Sequence, residues 1–207
     1  MAIRPTSEVL NIELDEQELR EIERRLGDLK DKLPTIIARA INRGLARMRT
    51  KTVRRAREET GIRSRTIRSR ITLNRATRNR MRGRLRIWDK GFNLADFDPQ
   101  ENELGVQAKI GSRLHQVQHA FIATTPSGHI GVFIRGRGSA GPFPGSIEGE
   151  GFYSGATRLP IHLVRTKGIA STLRRAAALG SIEREGNDYV RERLQVETDL
   201  ILSGQRT

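Results

Sequence analysis

"HAFIATTPSGHIGVFIRG" (residues 119–136) holds two β-rich runs separated by Pro126, Ser127 and Gly128. Proline presets φ for the second position of a turn, and glycine takes the left-handed position that closes it. The flanking runs carry Phe, Ile and Val, so the stretch predicts a hairpin pairing residues 119–125 with 129–135. That hairpin puts β-structure in the middle of a chain whose two ends read as helix.

Working outward, "RLRIW" (84–88) alternates as a strand with one polar face, and "ELGVQAKIG" (103–111) is a second candidate strand. Residues 136–158 hold seven Gly together with Pro142 and Pro144. They bury too little apolar surface to order themselves, and read as a long loop or arm. "LPIHLVRT" (159–166) is a last short extended piece, and helices are expected over 169–179 and from 182 to about 202, with Val190, Leu194 and Ile201 on one side.

Towards the N-terminus, "EVLNIEL" (8–14) alternates as a short strand. Asp15 and Glu18 then form a capping-box-like start ahead of Leu19, Ile22, Leu26, Leu29 and Leu33, whose intervals of three and four fit one helical face. Pro34 predicts a kink or brief break before a second helix over 34–60. At about 100° per residue, Ile37, Ile41, Gly44, Leu45, Met48 and Thr52 fall within roughly 100°, and Arg39, Arg43, Arg47, Arg54 and Arg57 within roughly 80° on the other side. The latter set reads as a solvated basic face. Arg55 breaks the pattern, so packing is expected to end near Thr52, and Gly61 suits the closing position. A short helical turn is expected over 64–70, with Ile67 and Ile71 inward.

The reading is therefore an α+β fold: a long N-terminal helical region, a small mostly antiparallel β-sheet over about 84–164, C-terminal helices and the Gly-rich loop or arm. Residues 1–33 read as an N-terminal strand and helix extension, and 34–207 as the main domain containing loop 136–158.

Charge is the strongest functional signal. Residues 51–86 hold thirteen Arg and one Lys against Glu58 and Glu59, which makes +12 of a chain total of +14. No aromatic residue interrupts that window. Proteins that grip single strands interleave aromatics for stacking, so this patch suits backbone phosphates without base reading. An acidic protein surface fits the same residues equally well.

Other chemistry is sparse. There is no cysteine, which removes disulfides, thiolate metal sites and cysteine nucleophiles together. His115 and His119 have an i, i+4 spacing but lead into a strand with no carboxylate nearby, and His129 follows a turn. Asp96 and Asp98 lack an accompanying Glu/Lys constellation. No nucleophile elbow or phosphate-binding glycine pattern occurs. The expectation is no catalytic residue, no metal and no cofactor. "MAIRPTSEVLNIEL" lacks the apolar run of a signal peptide, and no stretch approaches the roughly 18 apolar residues of a membrane span, so synthesis in the cytosol without a membrane partner is expected.

"IIARAINRGLARMRTKTVRRAREETGI" (36–62), the following basic R-x-R-x-x-I segment, "AFIATTPSGHIGVFIR" (120–135) and "LPIHLV" (159–164) occur in one order, followed by a closing helix. In that order the chain resembles the minor tail protein Z family of long-tailed bacteriophages. It departs from the family's pattern in the extension before Pro34 and in the Gly-rich stretch between Arg135 and Leu159. The resemblance implies a structural tail-completion protein rather than an enzyme, with 34–207 as the tail-completion domain. Its place would be the head-proximal neck of the tail in the virion, reached by assembly in the host cytoplasm. It implies a homo-oligomeric ring, with a hexamer expected because the tail tube is six-fold, and residues 136–158 ordered by another chain. Tail terminator and tail tube proteins, head–tail connector proteins and the end of the double-stranded phage DNA are the implied partners. With that role, Arg63, Arg65, Arg68, Arg70, Arg75, Arg78, Arg80, Arg82 and Arg84 become candidates for non-specific DNA-phosphate contact. The competing reading is a free-standing, sequence-nonspecific nucleic-acid-binding protein.

Overall fold

The hairpin forms as read, between Ala120–Thr124 (β7) and Ile130–Arg135 (β8), with Phe121 opposite Phe133 and Thr124 opposite Ile130. Thr125, Pro126, Ser127 and Gly128 make the turn. Gly128 has φ +81° and donates its amide to the Thr125 carbonyl at 2.8 Å. The computed structural model describes residues 7–12, 14–135, 148–151 and 161–204. These residues divide into two units, one built from 55–70 and 88–176, the other from 7–54, 71–87 and 177–204.

In the unit holding the hairpin, β8 is the inner strand of a four-stranded sheet ordered β7-β8-β10-β9, with β9 at Glu148–Gly151 and β10 at Ile161–Arg165. Val132, Phe133 and Ile134 of β8 are buried, as a strand covered on both faces requires. Strand β9 corrects the loop expectation for 148–151. Pairing uses backbone groups alone, so poor side-chain propensity does not prevent it. The rest of 136–158 lies outside the described residues.

A second, three-stranded sheet joins β4 (Gln100–Asn102), β5 (Gly105–Ile110) and β6 (Arg113–Gln118). The sequence did not announce β6. Its two apolar residues point opposite ways, Val117 inward and Leu114 outward, so no period is visible. Helix α4 (Ile169–Arg175) is capped from afar, because Asp89 accepts the Ser171 amide at 2.9 Å and the Ser171 hydroxyl as well.

The other unit is organised by helices. Glu16–Leu26 (α1) is capped by Asp15, which accepts the Gln17 amide at 3.0 Å. Glu18 does not return the capping box; it pairs with Arg191 at 3.1 Å. A six-residue 3-10 stretch (Gly27–Lys32) forms the break expected before Pro34, and α2 runs unbroken from Leu33 to Thr60. Its first part belongs to this unit, with Ile36, Ile37, Ile41, Leu45 and Met48 buried. The buried stripe does not end at Thr52: Val53, Ala56 and Thr60 continue it, because small residues keep the spacing while Arg55 turns out to Glu58 and Glu59.

Helix α5 (Leu179–Leu202) runs antiparallel to α2, over Gly44 and Met48 of the apolar stripe and over part of the side expected to be solvated. Arg43 pairs with buried Glu197 at 2.9 Å, the Arg47 guanidinium lies 4.9 Å from the Tyr189 ring centre, and Lys51 meets Glu185 at 2.8 Å. Part of the basic face is thus a helix–helix contact. The unit's sheet has the order β1-β3-β2, from Ser7–Asn11, Arg84–Trp88 and Ile71–Asn74, the last strand too short to show a period. The expected α+β fold stands, with three small sheets where one was expected.

Candidate nucleic-acid interface

The nine candidate arginines fall into two segments, one in each unit. Between β2 and β3, "NRATRNRMRGR" (74–84) carries five arginines and no acid. Asn74 pairs with Arg84 at its base, and Thr77 and Arg80 exchange backbone hydrogen bonds at 2.9 and 3.1 Å, which makes Arg78-Asn79 a two-residue turn. Two devices hold this loop to α2. The Asn42 side chain bonds both backbone groups of Ala76, and the missing Cβ of Gly83 lets the backbone approach, since an added Cβ would stand 2.4 Å from Ile41 Cγ2. Arg78 Nε donates to Thr35 Oγ1 at 2.7 Å, and Arg80 donates to the Arg75 carbonyl at 3.3 Å. Arg75, Arg78, Arg80, Arg82 and Arg84 are exposed, and among the described residues no carboxylate is within ion-pair distance of any of them.

The other segment follows α2. Gly61 has φ +75° and closes the helix, as read, by donating to the Arg57 carbonyl at 2.8 Å. The β5–β6 turn caps the same end, with the Gly111 amide donating to the Thr60 carbonyl at 2.9 Å. Helix α3 (Ser64–Arg68) is pinned by buried Ile62 and Ile67. Burying each such isoleucine is worth about 2 kcal/mol. Arg63, Arg65 and Arg68 are exposed. Arg70 is half-buried, its guanidinium 5.7 Å from the Phe92 ring centre. Burial raises the Asp96 carboxyl above its ordinary range, and the positive charges of Arg70 and Arg165 partly offset this.

The remaining sequence candidates do not converge. His115 lies in β6 and His119 at the corner after it, with φ +57°. Four residues of extended chain span about 13 Å, so the pair does not share a helical face. The His129 carbonyl accepts the Thr125 amide at 2.8 Å. His162 is buried in β10. Asp98 has φ +50° at the end of the 3-10 turn Leu94–Phe97. Among the described residues no group of His, Asp and Glu could hold a metal ion, and no helix is long and apolar enough to cross a membrane.

Sequence reasoning missed the residues that position the loop: Thr35, Asn42 and Gly83. The one available signal was an Asn next to Ile41, beside the apolar stripe of a helix, where an amide needs partners.

A family model described as Prophage minor tail protein Z (GPZ) matches residues 18–148, more than half of the chain. The match takes in α2, both arginine segments and the hairpin, and it begins within α1. Residues 159–164 and the closing helix lie beyond it. No curated protein and no solved structure matches the chain.

Proposed function

The chain belongs to the prophage minor tail protein Z family, and from that premise we propose that it completes the head-proximal end of a phage tail and helps join it to the head. The family is one of structural minor tail proteins and not a known enzyme family. In this reading copies of the chain form a closed ring, six being expected from the symmetry of a tail tube. The ring meets tail terminator, tail tube and connector proteins and surrounds the end of the double-stranded DNA.

The observation that supports a DNA role is the state of the arginines. Eight of the nine candidates are exposed, and none of these eight has an acidic partner among the described residues. Arg70 serves the fold on Phe92. Arg63, Arg65 and Arg68 in one unit, and Arg75 and Arg78 in the other, are the phosphate-contacting set, while Arg80, Arg82 and Arg84 line a cleft of their own. Guanidiniums without base-stacking neighbours bind backbone charge and release counterions, without selecting sequence. Repetition around a ring multiplies a weak attraction.

The test is duplex binding by the purified protein as salt is varied. The affinity should fall steeply, with a log–log slope near −0.9 per phosphate neutralised. Charge reversal at Arg68 and Arg75 should flatten the slope and leave the fold intact. An unchanged slope, together with failed joining of tails to heads, would instead assign these arginines to neighbouring proteins. Negative-stain images of the same preparation test the ring directly.

A further inference from the structure

One cavity is not explained by phosphate contact. Within the helical unit a cleft of about 1050 Å³ opens beside the 74–84 loop. Half-buried Leu14 and Leu19 contribute apolar surface, with buried Ile12 and Ile37 behind them, and Met81, 46% exposed, contributes it from the loop. Arg80, Arg82 and Arg84 line the same space. DNA phosphates would use the guanidiniums but would leave the apolar surface without a counterpart. The volume reaches the upper end of the roughly 300–1,000 Å³ of small-molecule pockets, so a chain segment fits better than a small ligand.

We propose that this cleft docks an acidic amphipathic protein segment, one that sets leucine-like side chains against Leu14, Leu19 and Met81 and carboxylates against Arg80, Arg82 and Arg84. The charge complementarity is specific: three arginines line the cleft, and no carboxylate of the described residues pairs with them. Guanidinium–carboxylate bonds are charge-assisted and directional, and an apolar anchor between them supplies the desolvated centre that protein contacts use. The groove is also preformed. Asn42 fixes Ala76, Gly83 sits against Ile41 and Leu45, and Ile12 donates its amide to the Gly83 carbonyl at 3.3 Å, so little ordering is needed on binding. An amphipathic helix laid into an apolar groove is a recurrent mode of recognition. The proposal rests on the chain working inside a protein assembly, and it gives the two arginine groups different partners, DNA backbone for Arg63, Arg65, Arg68, Arg75 and Arg78, and protein for the three in the cleft.

The experiment is fluorescence anisotropy with the full chain and three labelled probes. One is a peptide of about four helical turns with Glu and Leu at amphipathic spacing, the second is its Gln-for-Glu twin, and the third is a DNA duplex of about two turns. The acidic peptide should bind, and the twin should bind at least about tenfold more weakly. Arg80→Gln, Arg82→Gln and Arg84→Gln together should cost the acidic peptide about tenfold, and Met81→Gln, which changes no charge, should weaken it while leaving duplex affinity at the parent value. Circular dichroism checks that these exposed substitutions keep the fold. Absence of peptide binding, equal binding of the twin, or full affinity in the triple variant overturns the proposal. Loss of duplex binding on Met81→Gln with peptide binding intact overturns it as well, by making the cleft a DNA site. A parent that binds the peptide and ignores the duplex leaves the docking cleft standing and removes the DNA role.

Discussion

Asn42 holds Ala76 by both of its backbone groups: Nδ2 donates to the Ala76 carbonyl at 3.0 Å, and the Ala76 amide donates to Oδ1 at 2.9 Å. One side chain on α2 thereby supplies what a neighbouring strand would supply, and the basic loop is fixed to a helix 34 residues away in sequence. Ala76 is buried, so Asn42→Ala leaves two polar groups without partners. The expected cost is about 1–3 kcal/mol, read by urea denaturation. Amide exchange at Ala76 should quicken far more than exchange in α5.

Glu197 is fully buried and accepts from Arg43 at 2.9 Å and from Arg193 at 3.2 Å. Removing the carboxylate with Glu197→Ala strands both guanidiniums at the α2–α5 contact. A loss of about 3 kcal/mol is expected, the low end for a broken buried pair, because the Arg43 side chain is 38% exposed and can turn to water. Glu197→Gln keeps an acceptor and should lose less. Chemical denaturation of the two variants checks the order.

Gly44 and Gly186 let α2 and α5 approach, and neither should tolerate alanine. A Cβ on Gly44 would stand 2.2 Å from Val190 Cγ2, and one on Gly186 would stand 2.3 Å from Met48 Cε and 2.4 Å from its Cγ. Valine is fixed at χ1, and Met48, fully buried, would have to move from Cγ outward within a packed core. Alanine gains about 1 kcal/mol in helix propensity at either site. Against an overpacking cost of about 1–3 kcal/mol, Gly44→Ala and Gly186→Ala should both lower the melting temperature. A melting temperature raised by either substitution would contradict the packing described.

Asp96 gives the pH dependence. Its carboxyl is raised by burial, with Arg70 and Arg165 acting in opposition. A raised folded value means that the folded state holds the proton more tightly than the unfolded one. The associated stability is complete below the ordinary value of 3.8 and is lost as pH rises through the folded value. At neutral pH Asp96→Asn should therefore be slightly more stable than the parent, and the difference should close as pH falls through the carboxylate range. Melting curves of the pair across that range test the sign.

The hairpin at Phe121 and Phe133, the α2 stripe from Ile37 to Met48 and the 3-10 break before Pro34 were legible because each follows from local preferences and a repeating side-chain period. Strands β2, β6 and β9 were not. Ile71–Asn74 is too short to show a period, β6 sends Leu114 and Val117 to opposite faces, and β9 is held by backbone pairing with β10.

The concentration of arginine in residues 51–86 was fixed by sequence alone, since formal charge adds along a chain whatever its fold. Which arginines remain available was decided by the tertiary structure. Arg55 turns to Glu58 and Glu59, Arg70 stacks on Phe92, and Arg43 and Arg47 meet Glu197 and Tyr189 of α5, while the five of the 74–84 loop stay exposed. Several of those partners lie far away in the chain, at separations that no local period encodes. A guanidinium's freedom depends on the groups within a few ångströms of it, and only folding brings those groups near.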